Sequence, residues 1–183
     1  EDSLVSFESK KYDQKLKGVL LLNDTFYVNT GNGIYIETPD TSYYLGDIHP
    51  IAKSSCSQLL LFREQLIFSF PSDGLYEYRD GEFKPIRYNG EVIPDARLIK
   101  EDEESFWAVS NYGCFKISRK EPQSRLLSAE AFSSLPRMVL KSAAIRNDKL
   151  YLQTRNNGLG VVELSSVVRS SLYPPELLIT KVQ

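Results

Sequence analysis

The sequence predicts an all-β fold of repeated antiparallel sheets, and three observations carry it. One pattern occurs four times: an apolar or aromatic run, a short polar turn ending in Gly, and a second apolar run. The copies begin at Phe26, Leu66, Phe106 and Leu150, at steps of 40, 40 and 44 residues. The runs are too short, and too rich in Tyr, Phe, Ile and Val, to be pairs of helices. A period of this length made of strands is that of β-propeller blades, with four strands in roughly 40 to 50 residues.

The four blades are expected at about residues 16–50, 51–92, 93–132 and 133–171. The first reads as Gly18–Leu22, an Asn23-Asp24 turn, the hairpin around Gly33, and Ser42–Leu45 as outer strand. The second is Gln58–Phe62, the Arg63-Glu64 turn, the hairpin around Gly74, and Phe83–Ile86. Its Asp80-Gly81 pair is the strongest local hairpin signal, because a two-residue turn of this kind needs positive φ. The third is Arg97–Lys100, an acidic turn at Glu101–Glu104, the hairpin around Gly113, and Arg125–Leu127. The fourth is Ala143–Ile145, an Asn147-Asp148 turn, and the hairpin around Gly158 running out to Leu164. Its outer strand is missing, since Ser165–Ser171 is polar without alternation, and Leu4–Glu8 has the pattern to close the ring in its place. The expectation is therefore four four-stranded antiparallel blades, as a partial propeller or as one completed by dimerisation, because an uncovered sheet edge invites pairing.

A chain of 183 residues suffices for one domain with a real core. Its 42% hydrophobic content, eleven Tyr and nine Phe fit a β-rich globular protein. Acid and base are interspersed to a net charge of −2, so nothing electrostatic draws this segment to nucleic acid or to an anionic membrane. Cys56 and Cys114 occupy non-equivalent places in adjacent repeats, and Cys114 stands where Ile34, Leu75 and Leu159 stand in the others, as a small core residue. No apolar stretch is long enough to span a bilayer. The sequence opens at Glu1 without Met, and it is expected to be a piece of a longer protein. Pro174-Pro175 stops the preceding element, and Glu176–Val182 reads as the first strand of a following domain.

No serine sits in a nucleophile elbow, no Gly-rich run follows a strand to cradle phosphate, and no His/Cys/Asp spacing suits a metal. Catalysis, a cofactor and a metal are accordingly not expected of this segment. A propeller enzyme would need convergent carboxylates, and Asp73 alone stands near such a place. The Glu101–Glu104 run lacks the alternating oxygen ligands and Gly of a calcium loop and reads as a solvated turn.

Strand direction alternates, so the turns before the Gly residues and the connections between blades share one face. That face would carry Asn32, Asp73, Tyr112, Arg155, Asn156 and Asn157, joined by His49, Tyr88 and Asn89. Aromatic rings for stacking, with amides and an Arg for hydroxyls, suit a sugar. Turn chemistry alone accounts for Asn or Asp just before Gly, but not for Tyr112 or Arg155. Tyr27, Phe68, Trp107 and Tyr151 lie on inner strands, where packing explains them.

The repeats resemble the two-component-regulator propeller repeat, in which an acidic or Gly turn precedes Leu-Trp-Ile-Gly-Thr, a few variable residues, and Gly-Leu with an aromatic. Ser105-Phe-Trp-Ala-Val-Ser-Asn-Tyr-Gly-Cys-Phe115 and Lys149-Leu-Tyr-Leu-Gln-Thr-Arg-Asn-Asn-Gly-Leu159 carry the likeness. The pattern's Trp is kept once, at Trp107. In that family a Pro-Pro linker leads to a Tyr-rich immunoglobulin-like domain, and Tyr173-Pro-Pro-Glu-Leu-Leu-Ile-Thr-Lys-Val182 resembles that junction, making 172–183 linker and first strand. The resemblance implies the periplasmic sensor region of a Bacteroidetes hybrid two-component system or a related one-component regulator. It implies an oligosaccharide ligand and membrane contact only through the downstream region, which would lead to a histidine kinase or a DNA-binding output; self-association as a dimer is expected from the open blade edges. A propeller scaffold for protein–protein interaction, with no small ligand, is the alternative.

Overall fold

The computed structural model describes residues 11–111, 113–119, 127–132, 140–155 and 158–164. Over these residues it is all-β apart from short 3-10 turns, with four antiparallel sheets of three to five strands. The chain falls into two compact units, Glu1–Ser55 and Cys56–Gln183.

In the first unit β1 (Leu16–Leu22), β2 (Thr25–Thr30), β3 (Gly33–Glu37) and β4 (Ser42–Tyr44) form one meander in chain order. Asn23 and Asp24 join β1 to β2 with φ of 49° and 59°, the two left-handed residues that a tight hairpin with native strand twist requires. Val28, Ile34 and Ile36 are buried. Beyond β4, 3-10 turns at Leu45–Asp47 and Pro50–Lys53 lead the chain on. They pass directly under the β2–β3 tip: a Cβ on Gly33, whose φ is 117°, would lie 2.2 Å from the Ala52 carbonyl oxygen. Only glycine fits there.

The second unit holds three sheets. β5 (Gln58–Phe62), β6 (Gln65–Phe70), β7 (Gly74–Arg79), β8 (Glu82–Tyr88) and the short β9 (Glu91–Val92) form the first. β10 (Arg97–Lys100), β11 (Ser105–Ser110), β12 (Gly113–Arg119) and β13 (Leu127–Phe132) form the next, and β14 (Leu140–Arg146), β15 (Lys149–Thr154) and β16 (Leu159–Glu163) the last. Every residue of β6 and β11 is buried, so neither strand has a solvent face. Alternation divides β11 between two cores. Phe106 and Ala108 pack with Phe62, Ile67, Leu75, Leu98 and Ile117, and the Phe62 and Phe106 rings meet edge to face at 5.0 Å. Trp107 and Val109 pack instead with Cys114, Leu140, Leu150 and Leu152. Each buried Phe, Leu, Ile or Val side chain among these contributes about 1.5–3 kcal/mol by leaving water. On the far face of β6 and β7, Phe68, Phe70, Tyr76, Tyr78 and Phe83 make an aromatic cluster.

Several elements differ from the sequence reading. The first sheet of the second unit gains β9 after the Asn89-Gly90 turn, whose φ values of 49° and 83° match the same tight-hairpin requirement. The third repeat's outer strand starts at Leu127 and runs to Phe132, later than the expected Arg125–Leu127. β13 takes its place from pairing with β12, Ile117 opposite Ala129, and not from its own weak strand propensity. β14 is longer than Ala143–Ile145 and carries one extra residue, Lys141, between the Leu140–Thr154 and Ser142–Gln153 pairs. Of the inner-strand aromatics, Phe68 and Trp107 are buried, whereas Tyr27 and Tyr151 are half-buried. The expected closing strand Leu4–Glu8 and the junction 172–183 lie outside the described residues.

Candidate functional site

Of the second-hairpin tips, β2–β3, β11–β12 and β15–β16 share one local plan, and β6–β7 departs from it. A hydroxyl at the end of the incoming strand donates to the Gly carbonyl after the turn: Thr30 Oγ1 to Gly33 O at 2.9 Å, Ser110 Oγ to Gly113 O at 3.5 Å, Thr154 Oγ1 to Gly158 O at 3.2 Å. Thr154 Oγ1 also accepts from the Gly158 amide at 3.0 Å. Phe70 takes this place in the β6–β7 tip, which closes without a hydroxyl. The Thr30, Ser110 and Thr154 hydroxyls are thus engaged by their own turns.

The sequence-selected residues divide between the two units. In the first, Asn32 lines a cavity of about 290 Å³ with Tyr12, Gln14, Thr30, Tyr35 and Glu37 among its walls. Tyr12 stands edge-on to Tyr35 at 5.7 Å and donates its hydroxyl to Glu37 Oε1 at 2.8 Å. Burial, reinforced by that hydrogen bond and the Glu37 charge, pushes the Tyr12 phenol well above its ordinary value. His49 precedes the Pro50–Lys53 turn, donating its amide to Leu45 O and accepting from the Ala52 amide, both at 2.9 Å.

In the second unit Arg155, in the β15–β16 tip, lines a cavity of about 560 Å³ with Asp95, Arg97, Leu140 and Lys141. Asp73 is exposed at the β6–β7 tip. Tyr88 is half-buried and rests on Phe115 with ring centres 5.5 Å apart, a packing contact beside the core. Tyr112, Asn156 and Asn157 lie outside the described residues. Arg155 thus shares a cavity with three polar residues that sequence reasoning passed over. The overlooked signal is positional: Asp95 and Arg97 flank the start of β10, and Lys141 stands at the start of β14.

The acidic turn behaves as its composition suggested. Asp102 Oδ1 accepts from the amides of Glu104 and Ser105, both at 2.7 Å, and from the Ser105 hydroxyl at 3.2 Å. Burial would raise its carboxyl, but these hydrogen bonds with the Lys116 charge outweigh it and hold the group below its ordinary value. Lys116 pairs with Glu101 at 2.8 Å, Lys100 with Glu103, and Arg63 with Glu104. Among the described residues no group of three metal-binding side chains gathers, and no helix is long and apolar enough to cross a membrane. Glu77 is buried in β7, 3.4 Å from Arg79, and desolvation raises its carboxyl.

What these sheets define is a class of architecture, an all-β array of short antiparallel meanders, and solved structures of that class match the chain. The extracellular domain of BT4673 from B. thetaiotaomicron does so in two structures, described in one as a hybrid two component system and in the other as a one component system. Both give a TM-score of 0.62, at 15% and 14% identity, over 84% and 90% of this chain and 21% and 22% of that one. The computationally designed Ika4 protein matches at a TM-score of 0.57 and 9% identity, over 90% of this chain and 99% of its own. This chain spans about a fifth of the BT4673 domain. The likeness is one of fold. No family model matches the sequence, and no curated protein does either.

Proposed function

We propose that the chain is a ligand-sensing propeller segment from the periplasmic part of a bacterial receptor of the two-component or related one-component kind. Its four sheets are then the four blades, forming a partial propeller or one completed by a second copy, and the ligand is an oligosaccharide held at the face of the hairpin tips and inter-blade connections. The observation that carries this reading is the cavity that takes Arg155 from a hairpin tip together with residues opening β10 and β14. Support also comes from the fold likeness to an extracellular receptor domain. The segment itself works by binding, without catalysis, and output and membrane attachment lie elsewhere in the longer protein.

A thermal-shift screen of the 183-residue chain against a panel of neutral and acidic oligosaccharides tests this. Stabilisation by a saccharide, weakened by Arg155→Gln, is the expected outcome. A panel with no stabilising member at millimolar concentration would sink the reading.

A second reading has its own observation. Leu159 and Val161 of β16 are 70% and 51% exposed, an apolar pair on a strand that has no outer neighbour among the described residues. It favours self-association through the last sheet, or a protein scaffold role that uses the same surface.

A further inference from the structure

We infer that the cavity at the start of β10 and β14 binds an anionic group, the carboxylate of a uronic acid or the sulfate ester of an oligosaccharide. The inference rests on the ligand-face reading and names the chemical class that the site selects.

Three of its five described lining residues, Arg97, Lys141 and Arg155, are cationic, against one carboxylate, Asp95. Asp95 is already engaged: its Oδ1 lies 3.7 Å from Arg97 Nη1. Lys141 and Arg155 therefore face the cavity with no second carboxylate among its described walls. Cations brought to one partly enclosed cavity repel one another more strongly than they would in bulk water, and an anion reverses the sign of that energy. Their number sets this site apart from an ordinary small-molecule pocket, which is mostly apolar with a few placed polar groups.

Backbone structure holds the cations there. Arg97 is on the Ile99 side of β10, the side turned toward Leu140 and Leu152, and opposite to that of Leu98. Asp95 has φ of 47°, a left-handed conformation that Asp tolerates better than most residues, and its amide donates to Phe70 O at 3.4 Å. That anchor places its carboxylate beside the guanidinium, so Asp95 is a positioning residue for Arg97. Lys141 is the extra residue of the β14 bulge. A bulge interrupts the ladder and re-aims one side chain, and here the side chain concerned lines the cavity. Arg155 comes from a tip whose turn is closed by Thr154, leaving its guanidinium outside the turn's own bonding. Guanidinium forks match the two oxygens of a carboxylate or sulfate, and Leu140 supplies an apolar wall for the sugar ring.

The test is isothermal titration of the 183-residue chain with an oligogalacturonate trimer, a neutral galactose trimer, a sulfated disaccharide and inorganic sulfate, at low salt and at 0.5 M NaCl. The expected result is binding of the trimer that carries carboxylates, or of the sulfated disaccharide, weakened by salt. Arg155→Gln and Lys141→Gln should each weaken it by about 10- to 100-fold, the range of one charge-assisted hydrogen bond. Lys149→Gln, at the opposite end of β15, should leave it unchanged. Circular dichroism and melting temperature establish that each variant folds. Equal binding of neutral and acidic trimers, indifferent to both variants, would overturn the anionic class while leaving a sugar site. Sulfate binding as tightly as either acidic saccharide would overturn the saccharide part. No binding by any of these probes would overturn this inference, while the ligand-face reading stands or falls with the wider oligosaccharide panel.

Discussion

The side-chain amide of Gln58 brackets the backbone of Leu98. Its Nε2 donates to the Leu98 carbonyl at 2.8 Å, and the Leu98 amide donates to Oε1 at 2.9 Å. β5 and β10 are the first, edge strands of successive sheets and do not pair with each other. Gln58 supplies by side chain the two bonds that a neighbouring strand would supply by backbone, at a residue that is 4% exposed. Ser69 makes a similar link, its hydroxyl donating to Ala96 O at 2.8 Å.

Gln58→Ala should therefore cost about 1–3 kcal/mol, the cost of leaving a buried amide and carbonyl without partners. Urea denaturation measures the loss. Native-state hydrogen exchange at the Leu98 amide should quicken beyond what global destabilisation explains. An unchanged exchange rate there would remove the bridge from the account.

Two glycine substitutions separate steric from conformational cost. Gly33→Ala sets a methyl carbon 2.2 Å from the Ala52 carbonyl oxygen and 2.8 Å from the Tyr44 hydroxyl. Gly81→Ala, at φ of 80°, meets nothing within 4 Å and bears only the backbone penalty, about 1–2 kcal/mol. Gly33→Ala should lose at least about 2 kcal/mol more than Gly81→Ala, read as a lower melting temperature. Equal losses would mean that the connection under Gly33 yields freely.

Hairpins were the legible part of this fold because their signals are local. Asn23-Asp24, Asp80-Gly81 and Asn147-Asp148 all adopt the left-handed turn geometry that their composition favours. β13 was not legible, since Leu-Ser-Ala-Glu-Ala-Phe has little β-propensity and becomes a strand only against β12. The Asn89-Gly90 signal was present, yet a reading that gave Tyr88 and Asn89 to a ligand loop hid β9. At the candidate cavity, Arg155 was legible because turn chemistry gives an Arg no purpose. Lys141 was not, because period-two alternation cannot register a bulge before the pairing is known.

Asp102 should make the β10–β11 turn acid-sensitive. Its folded-state carboxyl lies below the ordinary 3.8, so its contribution is complete above that value and is lost as pH falls through it toward the folded-state value. Because the carboxylate is exposed to solvent, the effect is on the order of a few tenths of a kcal/mol. Urea midpoints at pH 7, 4 and 3 should show Asp102→Asn below wild type at pH 7 and closing the gap at pH 3. A gap that stays constant across that range would exclude the carboxylate as its source.

Cys56 and Cys114 are both buried and unbridged. Burial pushes the Cys114 thiol up to about 12, which leaves almost no thiolate at neutral pH. A thiol-specific reagent such as DTNB should therefore leave Cys114 untouched in the native chain and react on unfolding, at a rate that follows the denaturant. Fast native labelling at Cys114, read by mass spectrometry, would contradict its position against Trp107 and Leu152.

The outer face of the last sheet gives the final prediction. Opposite β15, Val161 pairs with the half-buried Tyr151 and Leu159 with Gln153, so Leu159, Val161 and Tyr151 form an apolar strip on one side of that sheet. The other side packs inward through Leu150 and Leu152, so the strip contributes little to that core. Leu159→Lys with Val161→Lys should leave the melting temperature within about 2 °C, as surface substitutions do. The same pair of changes should shift sedimentation velocity from a concentration-dependent dimer to a monomer, because two like charges on each copy oppose face-to-face pairing. A chain that sediments as a monomer before substitution would rule out self-association by this surface. A drop of 10 °C or more on substitution would instead make the strip part of the chain's own core.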